Sequence, residues 1–369
     1  MEDESLSKIL VNHSLKLKKS EKVLIELNGI SGINLVRELL KECKRVGAYP
    51  FFNIIENDLL KLSLECYSKE SLIQYAELDL ERMKKMDAYI GINACENNFE
   101  LANIETQIMN DYNNIYIKPI HFDERVKNKK WCILRYPTNL LAEKSKMSLQ
   151  EFKKYYYNVC CDIDYNVISK KMDVLVRKLN KTNKIQIKSN DTDLVLYLNG
   201  MNSNKYVGNF NLPDCEVATA PNINRVDGYI AFNTDTCYNG NFFSNIKLAF
   251  KEGKVISALC ENGNLNKLIE ILNEDDGSRY VGEFAFGLNP KITKAIGDPL
   301  FDEKIIGSIH IALGNSIPFS DNGNSSSIHW DLVKILRKEY GGGEIFFDDE
   351  LIVKDGKFVE NELKYFNDI

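Results

Sequence analysis

The feature that most constrains this chain is a change of hydrophobic period part-way along it. Through the first third, short apolar runs alternate with segments of helical spacing. Lys22–Leu27, Tyr49–Ile55 and Met86–Ile92 read as strands, while Leu6–Leu17, Ile33–Val46 and Leu72–Lys85 space their apolar residues as amphipathic helices do. Strands separated by helices of this length imply a parallel sheet covered on both faces. Lys130–Tyr136 adds a strand, and Ser148–Val159 a helix that opens with Ser148 and Glu151 as a capping box. Helical spacing over Met172–Lys178 runs into a polar, basic connector, Leu179–Lys184.

Beyond that connector strands dominate: Lys184–Ile187, Asp193–Leu198, Gly228–Phe232, Ile246–Lys251, Lys254–Leu259, Gly282–Phe286, Ile306–Leu313, Ile328–Val333, Glu344–Phe347 and Glu350–Lys354. Turn formers such as Asn199-Gly200, Glu252-Gly253 and Asp355-Gly356 separate several of them, and helix is confined mainly to Leu265–Leu272. The expected fold class is mixed α/β and α+β. An N-terminal α/β domain with a parallel sheet covers 1–165, and a β-rich, mostly antiparallel C-terminal domain covers 166–369. The length of 369 residues suits two domains.

Composition narrows the function by exclusion. The net charge is −6, with both signs mixed along the chain, so the concentrated basic face that nucleic acid requires is missing. The basic runs Lys16–Lys22 and Arg125–Lys130 read as solvated faces. No Gly-x-Gly-x-x-Gly marks a strand–helix junction, which argues against a dinucleotide site. No stretch approaches the roughly 18 apolar residues of a spanning helix, and the acidic start Met1–Ser5 lacks a secretory pattern. The nine cysteines include no Cys-x-x-Cys pair. Free thiols in a cytoplasmic protein are the expectation.

The chemistry gathers around the histidines, of which there are four: His13, His121, His310 and His329. The last two lie 19 residues apart in apolar segments, and Asp331 follows His329 by two. On a strand, residues i and i+2 face the same side, so this imidazole and carboxylate can meet one metal ion. Two upstream carboxylates, Glu216 and Glu283, sit in apolar company beside turns. A buried carboxylate costs several kcal/mol unless a cation or hydrogen bonds compensate it. Taken singly, each residue also has an ordinary reading: a salt-bridged or solvent-facing glutamate, a satisfied core histidine.

In this order the motifs resemble those of the thermophilic-type metallo-aminopeptidases, the aminopeptidase T and S family. Pro213-Asp214-Cys215-Glu216-Val217-x-Thr219-Ala220-Pro221 is similar to the family's first acidic motif, with Cys215 where Gly is usual. Gly282-Glu283 resembles the second, His310-Ile311-Ala312-Leu313-Gly314 the first histidine motif, and His329-Trp330-Asp331 the last. The resemblance extends to Lys19–Leu27, Leu35–Ala48 and Trp131–Tyr136, and so covers nearly the whole chain. It implies five metal ligands, Glu216, Glu283, His310, His329 and Asp331, holding two divalent ions (zinc, cobalt, manganese or magnesium). Glu216 and Glu283 are the implied catalytic carboxylates, the implied substrate is a peptide with a free N-terminus, and the implied assembly is a homodimer.

Two departures stand out. The family's tyrosine seven residues after the first motif histidine is Ile317 here, and the interval between His310 and His329 is shorter than the family's usual loop. A metal-binding relative with little peptidase turnover is therefore one alternative. Another is a mononuclear iron ring-cleaving dioxygenase on the same scaffold, using His310, His329 and Asp331 as a two-histidine, one-carboxylate triad.

Overall fold

The computed structural model describes residues 2–238 and 240–367. Two compact units emerge: Met1–Asp162 with Gly208–Leu212, and Ile163–Val207 with Pro213–Ile369.

The first unit is built on a parallel sheet of β1 (Lys22–Asn28), β2 (Tyr49–Ile55), β3 (Ala88–Asn93) and β4 (Lys130–Arg135). Their order is β2-β1-β3-β4, and the short strand Asn211–Leu212 lies parallel to β4. The helices are α1 (Glu2–Lys8), α2 (Ile33–Val46), α3 (Asn57–Cys66), α4 (Lys69–Lys84), α5 (Thr106–Tyr112), α6 (Asn139–Lys144) and α7 (Leu149–Cys161). α2 shows why the period was readable. Leu35, Val36, Leu39 and Cys43 form its buried stripe, and Gly47, at a φ of 77°, ends it with a left-handed cap. Each buried leucine of this kind contributes about 1.5–3 kcal/mol. The capping box of Ser148 and Glu151 at the start of α7 is formed.

The sequence pattern did not reveal α3 or the helical stretch that follows α5 as far as Val126. That stretch carries Pro119, and its turns widen from α to π spacing, so a 3.6-residue period fades. Its apolar face, Tyr116 and Ile120, packs with Leu72, Ala76 and Met83 of α4. The reading of Arg125–Lys130 as a solvated face is corrected here. Arg125 is only 7% exposed, and its guanidinium lies 5.1 Å from the Tyr89 ring centre and 4.8 Å from that of Trp131. Two aromatic faces offset part of what the cation loses by leaving water. Lys129 and Lys130 pair with Glu124 and Glu21.

The second unit opens with α8 (Tyr165–Leu179), followed by β5 (Lys184–Ser189), β6 (Thr192–Tyr197), β7 (Asn204–Tyr206), β8 (Glu216–Thr219), β9 (Val226–Ala231), β10 (Lys247–Lys251) and β11 (Lys254–Leu259). After α9 (Leu265–Leu272) come β12 (Val281–Gly287), α10 (Pro299–Asp302), β13 (Ser308–Gly314), β14 (His329–Ile335), β15 (Glu344–Phe347), β16 (Glu350–Lys354) and β17 (Lys357–Phe358). One antiparallel sheet has the order β11-β10-β9-β6-β5-β15-β16-β17. The other, with the order β14-β13-β12-β8-β7, carries the chemistry. Among the described residues no helix is long and apolar enough to cross a membrane, and all nine cysteines are free.

Register fixes which side chains share a face of this five-stranded sheet. Tyr206 pairs with Glu216, Glu216 with Gly287, Ala218 with Ala285, Ala285 with His310, Glu283 with Ala312, and Ala312 with Asp331. Gly314 pairs with His329. Because directly opposed residues point the same way, Glu216, Glu283, His310, His329 and Asp331 all project from one face.

Candidate metal centre

The local sequence explains how each side chain reaches this face. The pairing of β12 with β13 slips between Val281 and Glu283, leaving Gly282 as an extra residue. A Cβ on Gly282 would stand 2.3 Å from the Asn315 carbonyl oxygen and 2.4 Å from that of Gly314. Only glycine fits under those carbonyls, and the bulge re-aims Glu283. The Asn315 carbonyl also meets His329 Nδ1 at 2.9 Å, which leaves Nε2 facing the cluster. His310 is held in the same manner, its Nδ1 3.2 Å from the Glu303 carbonyl oxygen. Such outer contacts to backbone fix which ring nitrogen is presented.

Gly287, opposite Glu216, leaves the face bare beside it. A Cβ there would lie 2.3 Å from the Ile305 carbonyl and 2.8 Å from that of Glu303. The segment after α10 settles into this gap and delivers Glu303 and Lys304. Lys304 is fully buried, with Nζ 2.5 Å from Glu216 Oε2, 2.8 Å from Glu303 Oε1 and 3.7 Å from Asp214 Oδ1. Sequence reading missed both residues. They lie in a short loop with no period, and the one available signal was adjacent opposite charges in an apolar stretch, Asp302-Glu303-Lys304-Ile305-Ile306.

The imidazoles and carboxylates approach without bonding. His310 Nε2 is 3.6 Å from Glu216 Oε2, 3.8 Å from Glu283 Oε1 and 3.9 Å from Asp331 Oδ1. His329 Nε2 is 3.3 Å from Glu283 Oε2 and 3.5 Å from Asp331 Oδ1. Charge-assisted hydrogen bonds close to about 2.7–2.9 Å. Two ligands about 2.1 Å from one tetrahedral ion lie about 3.4 Å apart, which matches these separations far better. Asp331 Oδ1 is buried and accepts no hydrogen bond. The donors therefore suit a divalent cation, and three groupings have the necessary closeness: Glu216, Glu283, His310; Glu283, His329, Asp331; and Glu303, His310, Asp331.

Proton affinities follow from the crowding of charge. Burial alone would depress His310, but Glu283, Glu216 and Asp331 outweigh it and raise the imidazole to about 9. His329 is likewise pushed down by burial and more strongly up by Asp331 and Glu283. Burial would raise Glu283, yet the two imidazoles hold it at about 2. Glu216 moves the other way, raised by burial against Lys304 and His310. Burial also lifts Glu303, against Lys304 and with Asp331 and Glu216, to about 8. Positive charge, whether protons or metal, is what this pocket gathers. His329, with 36% of its side chain exposed, marks the open side.

Ile317 is buried against Ala218 and Ala285, with Tyr206 packed beside it. Cys215, the residue before Glu216, adopts a φ of +101°, a backbone geometry that favours glycine.

The model of the thermophilic metalloprotease family (M29) matches residues 2–358. The chain belongs to this family. Aminopeptidase AmpS of Bacillus subtilis is 32% identical over 128 residues, which is 34% of this chain and 30% of that protein. Aminopeptidase 2 of Geobacillus stearothermophilus is 30% identical over 167 residues, 40% of this chain and 38% of that protein. The matched stretches thus span roughly a third of these relatives' own length. Wild-type AmpT from Thermus thermophilus has a similar fold, with a TM-score of 0.81 over 97% of this chain and 99% of that one at 20% identity. A 2,5-dihydroxypyridine dioxygenase from Pseudomonas putida shares the fold more loosely, with a TM-score of 0.61 over 98% of each chain at 12% identity.

Proposed function

We propose that this M29 protein is an aminopeptidase that hydrolyses the first peptide bond of substrates with a free N-terminus. Its site would hold two divalent cations on Glu216, Glu283, His310, His329 and Asp331. One observation carries the reading. Glu283 turns its two oxygens to different imidazoles, Oε1 towards His310 and Oε2 towards His329. A carboxylate so placed can bridge two cation positions, one shared with Glu216 and His310, the other with His329 and Asp331.

Charge supports the same count. Asp214, Glu216, Glu283, Glu303 and Asp331 offer five negative charges around the single ammonium of Lys304. With the imidazoles neutral and every carboxylate ionised, the remainder is four negative charges, which two divalent cations balance. A single iron on His310, His329 and Asp331 would leave Glu216 and Glu283 without a part in holding the ion. Bound cations supply Lewis acidity towards the scissile carbonyl and a water of lowered pKa. Glu283, held ionised between two imidazoles, contributes fixed charge rather than proton transfer. Lys304 anchors Glu216, and the backbone carbonyls of Glu303 and Asn315 keep both Nε2 atoms inward. Exposure at His329 supports entry of the substrate from that side, where Asp331 and Glu283 would also receive a free amine. The homodimer and the cytoplasmic setting implied by the family resemblance belong to the same proposal.

The test is an assay of protein loaded with cobalt, zinc, manganese or magnesium on amino-acid p-nitroanilides and short peptides, with free and acetylated N-termini. Release from the free forms alone is expected. No release with any metal would sink the aminopeptidase reading, and sedimentation measures the dimer.

A further inference from the structure

The two imidazoles of the site are held by different means. His310 sits within β13 with its side chain 1% exposed, so packing confines it. His329 is the first residue of β14, and 36% of its side chain is exposed. Trp330, buried against the Tyr238 and Phe243 rings, secures the chain after His329. The chain before it is Asn324-Ser325-Ser326-Ser327-Ile328, in which Ile328 alone is apolar. Apolar burial therefore does little to fix this approach, and hydrogen bonds must do so.

Those bonds converge on Asp275, in the turn between α9 and β12. Its Oδ1 accepts from Ser278 Oγ at 2.8 Å, Ser326 Oγ at 2.7 Å and the Gly277 N–H at 3.0 Å. Its Oδ2 accepts from the Ser327 N–H at 2.6 Å and Ser327 Oγ at 2.8 Å. Two of these donors belong to the turn itself, and three come from the segment entering β14. Burial would raise the Asp275 carboxyl, but donation from Ser327, Ser326 and Ser278 holds it well below the usual carboxylate range. The same two pieces of chain also meet through backbone. A Cβ on Gly277 would stand 2.2 Å from the Ser325 carbonyl oxygen. Asn324 Nδ2 donates to the carbonyls of Gly277 and Gly314, at 3.0 and 2.6 Å.

From this clamp the bonds run on to the imidazole. Ser326 Oγ accepts from the Ile328 N–H at 3.2 Å, and the Ile328 carbonyl accepts from the Asn315 N–H at 2.7 Å. The Asn315 carbonyl is the one that meets His329 Nδ1 at 2.9 Å. On the other side, the Gly277 carbonyl accepts from the Tyr280 N–H at 3.1 Å, three residues before Glu283. One carboxylate thus ties together the two pieces of chain whose side chains, His329 and Glu283, approach to 3.3 Å.

We infer that Asp275 is a positioning residue for the cation held by Glu283, His329 and Asp331: by clamping Ser326 and Ser327 it sets the His329 imidazole for that ion. This rests on the two-cation reading and adds a residue outside the ligand set on which the second ion depends. Groups that orient a ligand from behind commonly govern metal affinity in this way.

Asp275→Asn tests it, because the size is kept while one oxygen becomes an NH₂ that cannot accept from the serines. Circular dichroism and urea melts establish that the variant is folded before metal is added. Cobalt titration of the metal-free protein is then expected to show the second ion bound about 10–100-fold more weakly. The first ion should keep the parent's affinity, and the visible absorption of the second cobalt should change shape. In the metal-free state the Ser327 and Ile328 amide protons should exchange faster than in the parent. Asp276→Asn, which removes the same charge from the exposed neighbouring residue, should bind both ions as the parent does. Ser326→Ala and Ser327→Ala each remove donors, and each should weaken the second ion about threefold or more. Added to Asp275→Asn they should cost little further, since the partner is already lost. If Asp275→Asn does not fold, the two serine variants carry the test. A folded Asp275→Asn protein, or in its place both serine variants, with the parent's affinity for the second ion overturns the inference and leaves the two-cation reading standing. Equal weakening of both ions, or the same loss in Asp276→Asn, also overturns it, by making the effect general destabilisation or net charge. A parent protein that never takes up a second ion removes the broader reading, and this one with it.

Discussion

Replacing Glu283 with Gln probes the arrangement most sharply, since it keeps the size and removes the charge. Glu283 is 5% exposed, with one oxygen towards each imidazole. A carboxamide keeps one acceptor oxygen, so one of the two cation positions would face an NH₂ group instead. Breaking one contact of a buried charge cluster costs about 3–5 kcal/mol. At about 1.4 kcal/mol per decade, that is two to nearly four decades in cation affinity. The variant is expected to retain at most one ion per chain after dialysis against micromolar metal, and to lose at least 99% of its activity. In the metal-free state the penalty is smaller, because the imidazoles can release protons once their counter-charge is gone. The metal-free variant should therefore still unfold cooperatively in urea. Metal counting by plasma emission, urea melts with and without chelator, and p-nitroanilide turnover measure all three. A Glu283→Gln protein that holds two ions and keeps a third of its activity would refute the bridging geometry.

Gly282→Ala places a methyl against the Asn315 and Gly314 carbonyls, so the bulge must shift. It should lower stability by about 2 kcal/mol or more and weaken metal binding at both Glu283 and His329, read by urea melts and metal titration. The metal-free protein should lose stability as pH rises from about 6.5 to 9. His310 is raised to about 9 and Glu303 to about 8, so the folded state binds more protons than the unfolded state across that window. Metal affinity should climb over the same window, because binding must displace those protons; calorimetry in buffers of different ionisation enthalpy should register their release. A metal-free protein whose stability rises between pH 6.5 and 9 contradicts this electrostatic description.

How much of this was legible beforehand depended on whether the signal was periodic. The parallel strands and α2 were readable because each repeats its apolar residues at one interval. His329 and Asp331 were readable as a same-face pair because β14 keeps a period of two, and the register places them beside His310 on β13. Glu283 was visible through Gly282, although the reason for that glycine, a bulge beneath two carbonyls, is tertiary. Lys304 and Glu303 were not legible, since a loop with no period delivers them and the bare surface at Gly287 admits it. Arg125 was misread because a basic run looks the same whether water or two aromatic rings surround it. The helical stretch beyond α5 escaped because Pro119 and widened turns erase its period.

In the proposed function, five side chains on one sheet face would hold two cations that together support hydrolysis. Titrating the metal-free protein with cobalt or manganese, while following bound ions per chain and aminopeptidase turnover in the same sample, tests it most directly. Binding is expected to saturate at two ions per chain, with full turnover only as the second is taken up. Saturation at one ion, with iron preferred and no peptide hydrolysed, would contradict it.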